Sequence, residues 1–132
     1  MRRKIEREIA MQLILQMLIH NDYSDEMISK LLHTISEDNE QLPYIKNILL
    51  RFTQNRQTID SLIEENSSDW KLNRMARVDL AILRVAVTEI LYFDDIPESV
   101  SINEAVEIAK KFSTEESGSF INGILGSIVE KK

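Results

Sequence analysis

The sequence predicts an all-α protein made of two three-helix sub-bundles packed into one domain. Only three glycines and two prolines interrupt 132 residues, and apolar residues recur at intervals of three and four along most of the chain. A chain of this length buries about two thirds of its unfolded surface, which is enough for one core without disulfides or metal ions. We expect the sub-bundles to span residues 1–66 and 67–132.

The first predicted helix runs from about Arg3 to His20. Between Ile9 and Ile19 its only polar residues are Gln12 and Gln16, so the helix is apolar on nearly every side. Such a helix is expected to be central and buried. Arg7 lies on the stripe of the apolar residues that follow it, which places a cation at one end of this helix.

Two more helices complete the first half. Asp22 and Ser24 are candidate N-caps for the second helix, and a polar loop is predicted from Ser36 to Gln41. Pro43 suits the first turn of a third helix, whose apolar residues continue at near-heptad spacing as far as Ile63. The first half is therefore predicted to contain three helices.

The second half begins after a cluster of helix-capping residues, Asn66 to Asp69. From Trp70 to Phe93 the pattern is helical, and both one continuous helix and a short helix followed by a long one satisfy it. Arg84 lies in the most apolar part of this segment, so we expect it to pair with an acidic side chain across the bundle. For Arg84 and Trp70 alike, the sequence favours a structural role.

The last two helices follow a turn at Asp94 to Pro97. Ser101 and Ser113 each precede a glutamate by three positions, the spacing of a capping box, and predict the starts of these helices. Asn122-Gly123 is typical of a β-hairpin turn, but the flanking apolar residues recur at intervals of four, so a helix is predicted. Because glycine inside a helix costs ~1 kcal/mol relative to alanine, we expect a neighbouring helix or a ligand to approach Gly123 closely.

The composition argues against several classes of site. There is no cysteine, so disulfides and thiolate metal sites are excluded, and a reducing cytoplasm is the expected location. His20 and His33 are the only histidines, and a structural role is favoured for both. The sequence contains neither a nucleophile–base arrangement nor a Gly-rich phosphate loop, so we expect no catalysis, metal or cofactor. Charges interrupt every apolar run before the ~20 residues that a membrane span needs.

The net charge of −6 disfavours binding to nucleic acid, but the cations are distributed unevenly. Arg2, Arg3, Lys4 and Arg7 lie among the first seven residues with one acid, Glu6. Cations at the start of a helix oppose the helix dipole, so their presence suggests a binding role. The alternative is a solvated helix start.

A second candidate surface for nucleic acid lies between Lys110 and Phe120. It combines two lysines, Phe112 and Phe120, and the start of a helix, which together provide phosphate contacts and base stacking. The alternative is that both aromatic side chains belong to the core and both lysines to the solvated surface.

Several motifs spread over nearly the whole chain are similar to one known family. They are Arg7-Glu-x-Ala-x-Gln12, Trp70-Lys-Leu-x-Arg74, Val78-Asp-x-Ala-Ile-Leu-Arg84, Val100-x-Ile-Asn-Glu-Ala-Val106 and Phe120-Ile-Asn-Gly-Ile-Leu125. In this order they resemble the NusB family of bacterial transcription antitermination factors. The resemblance implies an all-helical cytoplasmic protein without catalysis. It also implies binding of the boxA element of nascent RNA, notably of ribosomal RNA operons, together with NusE, a small-subunit ribosomal protein. The pair helps to assemble an antitermination complex on RNA polymerase.

The resemblance also implies the residues of each surface. Position by position, those implied for RNA are Arg2, Arg3, Lys4, Arg7, Gln12, Lys111, Phe112, Glu116, Ser117 and Phe120. The resemblance implies that Asp79 and Leu15 belong to the surface that contacts NusE. Leu15 stands where the family usually has an aromatic residue, so a stacking contact is lost there. Glu6 replaces a residue that is commonly small, which lowers the local positive potential and predicts weak RNA binding without NusE.

Two other functions fit parts of the sequence. NusB-like domains also occur at the N-terminus of certain ribosomal-RNA cytosine methyltransferases, and the length of this chain disfavours that function. A helical adaptor that binds only proteins, with an incidental basic end, is the other alternative. The sequence leaves open whether the free protein forms homodimers, as some members of the family do. It also leaves open whether Asn122 makes a packing hydrogen bond or contacts RNA.

Overall fold

The computed structural model describes residues 2–35 and 42–132, and the loop predicted from Ser36 to Gln41 lies outside these ranges. The described residues form seven α-helices, which are α1 (Arg3–His20), α2 (Asp25–Ile35), α3 (Pro43–Gln54), α4 (Arg56–Glu65), α5 (Arg77–Tyr92), α6 (Glu98–Phe112) and α7 (Glu115–Glu130). A short 3-10 helix, Leu72–Arg74, precedes α5. The all-α prediction is therefore confirmed, and α1 has the predicted bounds.

Helix α5 is the centre of the fold. Every residue from Asp79 to Ile90 is buried, because α1, α3, α4, α6 and α7 all contact this helix. Each large aliphatic side chain buried there stabilises the fold by roughly 1.5–3 kcal/mol. In the described part of the chain, no helix has the length and apolar character needed to cross a membrane.

Helix α1 covers one side of α5. Its inner residues Ala10, Ile14 and Met17 are fully buried, whereas Gln12 and Ile19 on its opposite side are exposed. The sequence prediction that α1 is buried on nearly every side is therefore wrong for its outer face. Ile5 and Ile19 are the large apolar residues of α1 that are exposed to solvent.

The third predicted helix is divided at Asn55 into α3 and α4. Asn55 has φ −125° and ψ 23°, outside the helical region, and its side-chain amide donates to the carbonyl oxygen of Arg51 at 2.8 Å. An asparagine that bonds the preceding turn in this way competes with continuation of the helix. The described part of the first half thus contains four α-helices instead of three. In the second half, the segment from 70 to 93 contains the 3-10 helix followed by α5, which is close to the second of the two arrangements that the sequence allowed.

The helix starts agree with the predicted caps only in part. Ser24 Oγ accepts a hydrogen bond from the backbone N–H of Met27 at 3.1 Å, as expected for the N-cap of α2. Helix α7 is capped by Thr114, whose Oγ1 accepts from the N–H of Ser117 at 3.0 Å, one residue after the predicted Ser113. The capping box predicted at Ser101 is wrong, because α6 begins earlier, at Glu98.

The segment around Asn122-Gly123 is helical, which confirms helix over hairpin. No neighbouring helix approaches Gly123 closely, because a Cβ added there would meet nothing within 4 Å, and the alternative that a ligand does so stays a prediction. The glycine that does have near neighbours is Gly118, where an added Cβ would lie 3.6 Å from the side chains of Lys110 and Val106. Asn122 is exposed on the surface of α7.

Candidate nucleic-acid interface

Two segments that are far apart in sequence form one surface, which we call the basic patch and define as Arg2, Arg3, Lys4 and Lys111. The first three residues lie at the start of α1, Lys111 lies in the last turn of α6, and all four are exposed. Lys111 Nζ lies 3.0 and 3.1 Å from the two carboxylate oxygens of Glu8, one turn beyond Lys4 on α1. The fold therefore joins the two segments that the sequence suggested for nucleic acid.

Arg7 does not belong to this patch. Its side chain is 7% exposed, and its Nε and Nη2 donate to the Glu89 carboxylate at 2.7 and 3.3 Å. Burial lowers the pKa of Arg7, but the hydrogen bond and the charge of Glu89 outweigh it, so the pKa is raised overall. The resemblance implies Arg7 for the RNA surface, and the structure places its side chain inside the fold.

Glu89 is the centre of a buried polar cluster that links four helices. Besides Arg7 of α1, its carboxylate accepts hydrogen bonds from the Tyr44 hydroxyl of α3 and, at 2.7 Å, from Ser101 Oγ of α6. Burial and then the charge of Glu89 raise the pKa of Tyr44, so its hydroxyl stays protonated and keeps donating. These donors compensate for the cost of burying a carboxylate whose side chain is 1% exposed. Sequence reasoning missed this cluster, although a glutamate inside an apolar helix was a signal for it.

Three of the four exposed cations of the patch, Arg3, Lys4 and Lys111, are paired as well, but each of them stays open to solvent. Arg3 Nε lies 3.3 Å from Glu6, and its guanidinium lies over the Tyr44 ring at 4.2 Å from the ring centroid. Lys4 Nζ lies 3.9 Å from the carboxylate of Glu104. Surface pairs of this kind are worth at most about 1 kcal/mol, so solvent or another anion can replace them.

A second feature is an open groove of about 250 Å³ between the 3-10 helix, α5 and the start of α7. We call it the aromatic groove, and its lining is Trp70, Arg74, Met75, Ala76, Asp79, Thr114, Glu116, Ser117 and Phe120. Trp70 is half exposed and lies edge-on to Phe120, with ring centroids 6.3 Å apart. Trp70 is therefore a surface residue, which differs from the structural role that the sequence favoured.

The aromatic groove brings together residues that the resemblance assigned to different partners. Ser117, implied for RNA, donates through Oγ to Asp79 Oδ2 at 3.0 Å, and Asp79 was implied for NusE. Asp79 is 6% exposed, and its Oδ1 has no hydrogen-bond partner among the described residues. The two implied surfaces therefore meet at this pair.

The remaining implied residues are Gln12 and Leu15 on α1, Phe112 beside the basic patch, and Glu116 in the aromatic groove. Gln12 is exposed on the outer face of α1, and Leu15 is half-buried against the core. Phe112 is also half-buried, with Lys111 Nζ 5.3 Å from the centroid of its ring, and Glu116 is exposed in the first turn of α7. Within residues 2–35 and 42–132, no three side chains of His, Asp or Glu are grouped to hold a metal ion.

The prediction for Arg84 is confirmed. Its guanidinium donates from Nε and Nη2 to the two carboxylate oxygens of Asp60 at 3.0 and 2.9 Å, and from Nη1 to the Tyr23 hydroxyl at 2.9 Å. Arg84 therefore joins α5 to α4 and to the segment before α2, away from the basic patch.

Comparisons with known proteins agree on one family. The family model described as the NusB family matches residues 4–130. The transcription antitermination protein NusB of Alkaliphilus oremlandii is 47% identical, with 100% of this chain and 96% of the relative covered. The protein of the same name from Acetivibrio thermocellus is 48% identical, with 100% of this chain and 91% of the relative covered.

Solved structures give the same result for the fold. The structure of T. maritima NusB is similar with a TM-score of 0.88 and 34% identity, over 99% of this chain and 92% of that one. A structure of the antitermination factors NusB and NusE in complex with double-stranded RNA has a TM-score of 0.84. It is 21% identical over 98% of this chain and 97% of the other, and so it supports the fold alone. The chain belongs to the NusB family.

Proposed function

We propose that the protein is a transcription antitermination factor that binds boxA-type single-stranded RNA together with NusE. It then helps to assemble the antitermination complex on RNA polymerase, notably on ribosomal RNA operons. The observation that carries this proposal is the full-length similarity to relatives named transcription antitermination protein NusB. The proposed activity is binding, without a catalytic step.

The basic patch supports the RNA part of the proposal. Single-stranded RNA is held by cations on its phosphates and by aromatic side chains that stack on its unpaired bases. Exposed Arg2, Arg3, Lys4 and Lys111 supply the cations, and the half-buried Phe112 and Phe120 supply the aromatic side chains. Gln12, Glu116 and Ser117 supply polar groups for the bases or the ribose hydroxyls.

Arg7 enters the proposal in a different role. Since Glu89 holds its guanidinium inside the fold, Arg7 fixes the start of α1 and so positions Arg3 and Lys4, instead of binding a phosphate itself. We place the NusE surface on the outer face of α1 around Leu15 and at the edge of the aromatic groove next to Asp79. The exposed Ile19 makes this face of α1 suitable for a protein partner.

The test is a titration of a fluorescent boxA-type RNA with the protein, with and without NusE, between about 50 and 200 mM salt. Each phosphate contact contributes about 0.7 to the slope of log affinity against log salt for single strands, so replacing Arg2, Arg3 and Lys4 with alanine should flatten this slope by about two. Addition of NusE should tighten binding of the same RNA.

A matched control removes three positive charges elsewhere. Lys30, Arg51 and Lys131 are exposed on α2, on α3 and after α7, and their replacement with alanine should leave the slope unchanged. The RNA part of the proposal fails if binding does not depend on salt, or if both triple variants bind as the wild type does. The NusE part fails if NusE leaves RNA binding unchanged.

A further inference from the structure

The contact between Glu8 and Lys111 crosses the proposed RNA surface. It joins residues 103 positions apart, with Lys111 Nζ at 3.0 and 3.1 Å from the two carboxylate oxygens. The two side chains differ in exposure, at 62% for Lys111 and 15% for Glu8. The lysine therefore faces solvent while the glutamate is largely sheltered beneath it.

This geometry resembles that of a lysine on a phosphate. A carboxylate and a phosphodiester both present two anionic oxygens that accept hydrogen bonds from an ammonium group. Glu8 thus accepts hydrogen bonds from the Lys111 ammonium group, as an RNA phosphate would. Because Glu8 is sheltered, its negative charge stays near Lys111 even when the lysine turns toward solvent.

We propose that Glu8 competes with RNA phosphate for Lys111, so that this intramolecular pair limits RNA affinity. The proposal rests on the function proposed above. When a phosphate replaces Glu8, the freed carboxylate takes up a cation from solution, which offsets the counterion that Lys111 releases from the RNA. In the wild-type protein, Lys111 therefore adds less to the RNA affinity than an unpaired lysine would. It also adds less to the slope of log affinity against log salt.

The decisive variant is Glu8→Gln, which keeps the size of the side chain and removes its charge. Exposed ion pairs are worth roughly 0.2–1 kcal/mol, so RNA affinity should rise about 1.4- to 5-fold. The slope of log affinity against log salt should become steeper by about 0.7, the contribution of one phosphate. Thermal unfolding of the variant shows whether the fold is kept.

Two further variants separate competition from a general effect of charge. Glu107→Gln removes the same charge from an exposed acid on α6 whose partner, Lys110, lies 3.9 Å away, and it should change RNA affinity much less. In a Lys111→Met background, Glu8→Gln should not raise RNA affinity, because the ammonium group for which Glu8 and the phosphate compete is missing. All five proteins, which are the wild type, Glu8→Gln, Glu107→Gln, Lys111→Met and the Glu8→Gln/Lys111→Met double variant, are titrated with the same boxA-type RNA over the same salt series.

The outcomes are distinct. Equal gains from Glu8→Gln and Glu107→Gln, or a full gain without Lys111, would show a general charge effect and overturn the proposal. Weaker binding by Glu8→Gln would show that Glu8 positions Lys111 for RNA, which also overturns it. If the wild type itself binds no RNA under any salt condition, the failure lies in the proposed function.

Discussion

Two glutamate–cation pairs in this molecule each link α1 to another helix and have opposite consequences. Arg7 and Glu89 meet in the core, where their side chains are 7% and 1% exposed. Lys111 and Glu8 meet at the surface, with Lys111 mostly exposed. Both cations belong to segments that resemble RNA-binding segments of the family. The first pair is held by the fold, and the second is open to exchange.

The difference shows that burial decides what a cation can bind. Removing a guanidinium from a buried carboxylate leaves an uncompensated charge in a medium of low dielectric constant, so the pair does not open for a ligand. A lysine at the surface loses little when it changes partners, because water screens both states. Arg2, Arg3, Lys4 and Lys111 are therefore the cations of this surface that are open to a ligand, and Arg7 lies beneath them.

The largest expected effect follows from breaking the buried pair. Arg7→Met should lower the free energy of unfolding by about 3–5 kcal/mol, because Glu89 is left buried without its cation. Urea denaturation followed by circular dichroism measures this loss. Arg3→Met is the matched control, since its ion pair with Glu6 lies nearer the surface, and it should cost no more than about 1 kcal/mol. Equal losses for the two variants would contradict the distinction drawn here.

A smaller effect is expected from Tyr44→Phe. The variant keeps the ring that packs edge-on against Phe93, with centroids 5.9 Å apart, and removes only the hydroxyl that donates to Glu89. Loss of one hydrogen bond to a buried charge should lower the free energy of unfolding by about 1.5–3 kcal/mol. Tyr92→Phe is the control, because Tyr92 is half-buried and its hydroxyl donates to no described residue. A loss for Tyr44→Phe no larger than that for Tyr92→Phe would show that Glu89 is satisfied without this donor.

Periodicity was sufficient for most of the fold. The bounds of α1 and the helix around Asn122-Gly123 both follow from apolar spacing within a single segment. The break at Asn55 was not predicted, because the apolar spacing continues across it and only the asparagine side chain marks the end of α3. The misplaced cap at Ser101 has a tertiary cause, since its hydroxyl donates to the Glu89 carboxylate instead of accepting from a backbone N–H of its own helix.

The candidate site was predictable as a set of residue types but not as an arrangement. Arg3 and Arg7 are one helical turn apart, and the sequence placed Arg7 on the apolar stripe of α1. The partner of Arg7 is Glu89 of α5, and no local pattern in α1 identifies that partner. For the same reason, the sequence did not predict the pair of Glu8 and Lys111. The ion pair of Arg84 was predictable, because a cation in an apolar helix is buried only when it is paired with an acidic side chain.

The smallest effect is expected at Lys111, and it completes the comparison with Arg7. Lys111→Met should change the free energy of unfolding by less than about 1 kcal/mol, because its partner Glu8 regains water when the ammonium group is removed. A double-mutant cycle with Glu8→Gln, measured by urea denaturation, isolates the coupling energy of the pair. Coupling above about 2 kcal/mol would mean that this surface pair is held as firmly as a buried one, and Lys111 could not then change partners to bind a phosphate. A small coupling energy together with weaker RNA binding by Lys111→Met would assign this lysine to recognition and Arg7 to the fold.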